Sequence, residues 1–266
     1  MRRPVALLAA ILLTVSAGGC ASMGGSSAAP TEVTVFAAAS LRDALGAAAS
    51  AYRENAPGVT LTLSFDASSA LRTQIEQGAP ADVFASADMS NPTALADTGL
   101  TRGPVVPFAA NHLAIVVPAA NPASIRDPRD LARDGVRVVG AGEAVPISRY
   151  VEACLVKLED VAGYPAGYAA AVQANVVSRE DNVRAALAKV ELGEADAAFV
   201  YATDAVASDA VDTIAIPAEA NVEATYGAVV VGATRHPAEA AALVEWLAGD
   251  RGAAVLARFG FEPPAR

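Results

Sequence analysis

Histidine, cysteine, aromatic side chains and positive charge are all in short supply in this chain, and each scarcity closes a class of chemistry. The only histidines are His112 and His236, and no GxSxG, HExxH or Cys/His cluster occurs. A serine nucleophile therefore has no base near it in sequence, and a catalytic zinc has no ligand set. The chain reads as a non-enzyme, with a secreted hydrolase as the remote alternative. A phosphate-cradling GxxxxGK[ST] loop is missing, which disfavours a nucleotide binder. Aromatic residues make up 5% of the chain, too few for a platform that stacks bases or sugars. The formal net charge is -10 at a pI near 4.7. That balance argues against bulk attraction to nucleic acid or to an anionic membrane surface. A small anion is another matter, because it feels local dipoles before it feels that background.

The two cysteines carry different expectations. Arg2 and Arg3, an apolar stretch from Val5 to Val15 and then Ser-Ala-Gly-Gly-Cys make residues 1–20 a secretory signal of lipoprotein type. Cys20 would then be acylated and become the first mature residue. Ala17 stands three before it where leucine is usual, so cleavage without lipid stays open. The apolar core is too short to span a bilayer. Residues 21–31, rich in Gly, Ser and Ala, read as a flexible tether. The expected place is extracytoplasmic, either periplasmic or lipid-anchored to the outer face of the cytoplasmic membrane. Cys154 is left alone there, in an apolar helical stretch that makes it a buried, inert thiol.

What the chain has in quantity is apolar residues, 53% over 266 positions, enough for one large domain or two lobes. They fall into strands alternating with helices. Val33 to Ala37 reads as a buried strand, and Leu41, Ala44, Leu45, Ala48 and Tyr52 then share one helical face. Leu61, Leu63 and Phe65 alternate as a strand, followed by Asp66-Ala67-Ser68-Ser69 and a short helix that stops at Gly78. Further strands are predicted at Ala81–Ala85, Leu113–Val117, Val136–Val139, Val176–Val177, Ala197–Tyr201, Thr213–Ile216 and Ala228–Val231. Helices are predicted from Asp88, Asp127-Pro128, Arg149, Asn182-Val183, Pro237 and Arg251. The class is α/β with mainly parallel sheets flanked by helices.

Ligands of such sheets sit beyond the carboxyl ends of strands, against helix N-termini. Four strand-to-helix junctions carry candidate donors: Ser40, Ser68/Ser69, the turn from Val145 to Ser148, and Asn182-Val183. Each serine is also read as a plain N-cap. Together the four junctions could enclose a small anion with neutral donors only. Arg42, Arg72, Arg149 and Arg184 lie in or near the first turns of these helices, where a cation opposes the helix dipole. They read either as surface partners of acids such as Asp43 or Glu76, or as a ring at a cleft mouth that draws an anion in.

Several stretches resemble periplasmic molybdate-binding proteins, the solute-binding components of molybdate/tungstate ABC transporters. They are VTVFAAASL (Val33 to Leu41), Phe65 to Ile75, QGAPADVFASAD (Gln77 to Asp88), EDNVRAALAKVELGEADAAFVYATDA (Glu180 to Ala205) and RFGF (Arg258 to Phe261). The resemblance implies a two-lobed type II binding-protein fold with the oxyanion in the interlobe cleft. With crossings near Ala110-Asn111 and Tyr226, lobe one is residues 31–111 plus 227–266 and lobe two is 112–226. It also implies a site of two serine hydroxyls, a tyrosine hydroxyl and backbone N–H groups, with no cofactor and no free metal cation. By motif these are Ser40, Ser68, Ile147 and Val183 through their N–H groups, and Tyr201. The implied partners are molybdate or tungstate and a membrane permease, with the protein itself a monomer. Sulfate is the alternative ligand, since hydroxyl and N–H donors suit any fully deprotonated oxyanion. A ferric-ion binder would need a tyrosine pair with carboxylates, and Tyr164, Tyr168 and Tyr201 are not placed together by the sequence. Ile147-Ser148 stands where the family often has Ala-Gly, so Ser148 is read as a cap or an extra donor. Asn182 leaves the Val183 donor uncertain by one position.

Overall fold

The computed structural model describes residues 29–265. The secretory signal, Cys20 and most of the tether lie outside the described residues. Two five-stranded sheets carry the fold, each flanked by helices. In the first, strands run β2 (Val59–Asp66), β1 (Thr31–Ala38), β3 (Val83–Ser86), β10 (Ala224–Val231), β4 (Thr101–Asn111). In the second they run β7 (Val176–Glu180), β6 (Val138–Ala141), β8 (Ala197–Tyr201), β5 (Leu113–Pro118), β9 (Val211–Ile214). The two-lobed class holds, and the pairing within each sheet is mixed rather than mainly parallel. β2–β1–β3 and β7–β6–β8 are parallel, whereas β10 and β5 run antiparallel to both neighbours. The reason lies in the crossings. β4 ends at Asn111 and β5 starts at Leu113, so the chain enters the second sheet against the sense of its parallel strands and returns to the first as β10.

β1 is buried on both faces (Val33, Val35, Phe36, Ala37), as expected of a strand covered by helices on both sides. One face packs on α1 (Arg42–Asn55), α8 (Pro237–Ala248) and α9 (Asp250–Ala257), where Tyr52 meets Trp246 edge-on at 5.3 Å. The other packs on α2 (Ser68–Glu76) and α3 (Ser90–Asp97) through Phe36, Leu71, Ile75, Phe84 and Leu95. α4 (Pro146–Glu159), α5 (Tyr168–Ala174), α6 (Val183–Glu191) and α7 (Ala202–Val206) cover the second sheet. Among the described residues no helix is long and apolar enough to cross a membrane.

Several local expectations change. β4 is absent from the sequence pattern because Gly103, Pro104 and Pro107 interrupt it; as the edge strand it tolerates them, with bulges against β10. Asp127-Pro128 opens a short 3-10 turn with a capping box instead of an α-helix. α4 begins at Pro146, three residues before Arg149, with proline as its first residue. Cys154 is fully buried on α4 and its thiol is pushed up to about 11 by loss of solvent, an inert state.

Candidate functional site

Parallel pairing sends the carboxyl ends of β1, β2 and β3 to one side of the first sheet, and those of β6, β7 and β8 to one side of the second. Each of these strands hands directly to a helix or turn, so two sets of helix N-termini meet between the lobes. They enclose a cavity with about 220 Å³ of atom-free space, including its mouth. Its lining is Ala38, Ala39, Ser40, Ala67, Ser68, Ala87, Val145, Pro146, Asn182, Val183 and Tyr201. Among the described residues no lysine, arginine, aspartate or glutamate contributes to it. Small residues at 38, 39, 67 and 87 let the backbone come close, which is what a site built on N–H groups requires.

The cavity gathers Ser40, Ser68, Val183 and Tyr201. Ile147 is placed differently: its side chain turns behind α4 into a second cavity beside Val139, Leu155 and Phe199. Only its N–H belongs to the first turn, where it is one of the orphan donors of a helix start. Val183 is the first residue of α6, because Asn182 is the N-cap and accepts from the Ala185 N–H at 3.1 Å. The helix therefore starts at Val183, directly after its cap.

Neither serine is a cap. Ser40 sits in a 3-10 turn at residues 39–41, and its hydroxyl shares a 2.9 Å hydrogen bond with the Tyr226 hydroxyl. Ser68 is fully buried, and its oxygen accepts from the Ala87 N–H at 3.0 Å, which leaves its own proton to donate elsewhere. Ser148 is neither cap nor site donor; its hydroxyl donates to the carbonyls of Ala141 and Gly142. Ser69 lies outside the cavity lining. Tyr201 is 1% exposed, and its hydroxyl has no hydrogen-bond partner among the described residues. Burial first, then the neighbouring Tyr226, holds that phenol well above its ordinary pKa, so it stays a donor. Tyr201 stands edge-on to Tyr150 at 6.5 Å and to Tyr226 at 5.7 Å, an aromatic wall behind the cavity. Tyr164 and Tyr168 pair with each other elsewhere, and Tyr168 donates to the Pro128 carbonyl.

Charge gathers at the rim and pairs across the lobes. Arg149 of α4 binds Asp88 and Ser90 on the opposite lobe. Arg184 of α6 reaches Asp43 of α1 at 2.6 Å and, on its own lobe, the fully buried Asp204 at 2.6 Å, a charge contact without hydrogen-bond alignment. Arg42 instead lies over the Phe65 ring at 4.7 Å, and Arg72 pairs with Glu76 along its own helix. Neither His112, which faces Glu262, nor His236 lines the cavity. Tyr226, Asn111 and Thr203 were missed from sequence because each sits inside an unremarkable apolar or hinge segment. Chemically, the cavity offers hydroxyl and N–H donors, aligned helix dipoles and no charged group, an arrangement that holds a small, fully deprotonated anion.

Residues 33–262 match the family model of bacterial extracellular solute-binding proteins. A curated relative, the molybdate-binding protein ModA of Mycobacterium tuberculosis, is 36% identical over 264 residues, covering 97% of both chains. Among solved structures, the substrate-binding domain of a putative molybdenum ABC transporter from Clostridium difficile is similar at TM-score 0.66 and 27% identity, covering 88% of this chain and all of that one. The sulfate-binding protein SubI from Mycobacterium tuberculosis shares the fold at TM-score 0.77, with 22% identity over 88% of this chain and 87% of its own.

Proposed function

Because this chain belongs to the family of bacterial extracellular solute-binding proteins, we propose that it captures molybdate, and tungstate with it, between its lobes and delivers the anion to an ABC permease. The curated ModA relatives and the molybdenum-transporter domain support that ligand. The observation that carries the reading is the Tyr201 hydroxyl, a buried donor without a partner that lines a cavity of neutral donors. An unmet buried donor costs about 1–3 kcal/mol, so its presence there calls for an acceptor. In this reading Ser40, Ser68 and Tyr201 donate through hydroxyls, and Ile147 and Val183 through N–H groups at helix starts. The anion is cargo, and neither a cofactor nor a metal cation has a part. The protein acts as a monomer, with lobe one formed by residues 31–111 and 227–266 and lobe two by 112–226. It works outside the cytoplasm, held beside its permease by lipid on Cys20 or free in the periplasm.

Titration calorimetry with molybdate, tungstate, sulfate and phosphate tests it. Molybdate and tungstate should bind far more tightly than the other two. Equal or stronger binding of sulfate would replace the molybdate assignment with a sulfate one.

A further inference from the structure

A hydroxyl facing an anion can donate a proton to it or accept one from it, and only the surroundings decide which. For Ser40 those surroundings form a chain of buried groups at the crossing between lobes. The His112 N–H donates to Asn111 Oδ1 at 2.9 Å, which fixes the orientation of the Asn111 amide. Its Nδ2 then donates to Thr203 Oγ1 at 2.8 Å and, at 3.4 Å, to the Tyr226 hydroxyl. Tyr226 in turn meets Ser40 Oγ at 2.9 Å. Asn111, Tyr226, Ser40 and Thr203 are all at most 4% exposed, so no bulk water scrambles the order.

The direction follows from the first link. An amide NH₂ can only donate, so the Tyr226 oxygen accepts from Asn111, and in the arrangement we assign its own proton goes to its other partner, Ser40 Oγ. Ser40 Oγ thereby accepts once, and its own proton is left for the cavity. Burial holds the Tyr226 phenol well above its ordinary pKa, so the relay does not lose its proton. The parts come from separate places: Asn111 is the last residue of β4, Tyr226 lies in β10, and Thr203 belongs to α7 on the second lobe. Beside Tyr226 on β10, Gly227 packs closely: a Cβ there would lie 2.7 Å from Met89 Sδ, which would have to move aside.

We propose that Asn111 and Tyr226 are specificity-determining positioning residues: they aim the Ser40 proton at the anion, so the site disfavours an oxyanion that still carries a proton. This rests on the oxyanion reading above and deepens it. Monohydrogen phosphate must place a proton against some acceptor, and the relay takes one of the two Ser40 lone pairs and aims the Ser40 proton at the anion instead. Molybdate, with no proton at neutral pH, meets only donors.

The test compares molybdate and phosphate by titration calorimetry at pH 7 for wild type, Tyr226→Phe and Ser40→Ala, with thermal melting to confirm folding. Tyr226→Phe frees Ser40 to turn. Molybdate affinity should fall by about tenfold, the scale of one net hydrogen bond, while phosphate binding rises. Ser40→Ala, which removes the donor and adds no acceptor, should weaken molybdate without admitting phosphate. A folded Tyr226→Phe protein whose molybdate-to-phosphate ratio equals that of wild type would overturn the relay while leaving the oxyanion reading intact. A wild type that binds neither anion would overturn both.

Discussion

Replacing Tyr201 by phenylalanine should move stability and affinity in opposite directions. The side chain is 1% exposed and its ring is held by Tyr150 and Tyr226, so phenylalanine keeps the packing and deletes only an oxygen without a partner. An orphaned buried polar group costs about 1–3 kcal/mol, and removing it should stabilise the ligand-free protein by up to that amount. When the lobes part, water reaches the oxygen, so the gain belongs at the lower end. For a chain of this size about 1 kcal/mol raises Tm by roughly 2–4 °C. With molybdate the sign reverses. The lost hydrogen bond to a dianion is worth about 1.5–3 kcal/mol, a fall in affinity of about tenfold to a hundredfold. Scanning calorimetry with and without molybdate reads both effects in one series. A variant that melts lower than wild type and binds molybdate equally well would show that the hydroxyl has a protein partner, and would refute the reasoning.

Ser40→Ala and Ser68→Ala should each weaken molybdate binding by about tenfold to a hundredfold, while Ser148→Ala should leave it unchanged, since that hydroxyl is engaged by the Ala141 and Gly142 carbonyls. Stopped-flow binding checks the interlobe pairs: Arg149→Gln and Asp43→Asn should mainly speed dissociation, because each pair bridges the two lobes around the cavity. Asp204, buried against Arg184, has its carboxyl pushed up to about 6 by desolvation. The folded state then holds a proton that the unfolded state releases nearer pH 4, so this contribution is full below the ordinary carboxylate range and is lost as pH rises through about 6. Urea titrations should show the gap between wild type and Asp204→Asn changing across that window and flat above it. Metabolic labelling with a clickable fatty acid should mark the wild type and not Cys20→Ser; unlabelled wild type in the medium would exclude the anchor.

Much of the architecture was legible because its signals are local. β1 and β8 are runs of apolar residues, and α6 announces itself with the Asn182 cap and the Val183, Ala186, Leu187, Val190 face. The failures share a physical origin. β4 hides behind Gly103, Pro104 and Pro107, because an edge strand is excused by its position from rules a central strand must obey. The small helix α5, Tyr168–Ala174, follows a glycine turn and buries only Tyr168 and Val172, too little to show a period. At the site, the serines look like caps from the chain alone. Only the tertiary partners show how each hydroxyl is engaged: Ser68 accepts from the Ala87 N–H, which leaves its proton for the cavity, and Ser40 shares its bond with the Tyr226 phenol. Those partners lie 186 and 19 residues away in sequence, beyond the reach of any pattern.

The four arginines show why an acidic protein can build an anion site without placing a charge in it. A guanidinium against the anion would add a charge attraction and a bidentate geometry that phosphate shares with molybdate. Here the positive charges stand outside the cavity: Arg72, Arg149 and Arg184 are paired with carboxylates, the last two across the lobes, and Arg42 lies over the Phe65 ring. Inside, the anion would meet only oriented dipoles, which favour the species with most charge and no proton. The two arrangements share residues. Asn182 caps α6 with its carbonyl oxygen and donates from Nδ2 to Asp66 of the other lobe at 3.3 Å, one residue before the Val183 N–H. Arg184, one residue after, spans to Asp43. The start of α6 therefore reaches its donor position through the same contacts that bring the lobes together. In the proposed reading, closure and assembly of the donor set are one geometric event, and a ligand that cannot accept from every donor would leave part of that closure unsupported.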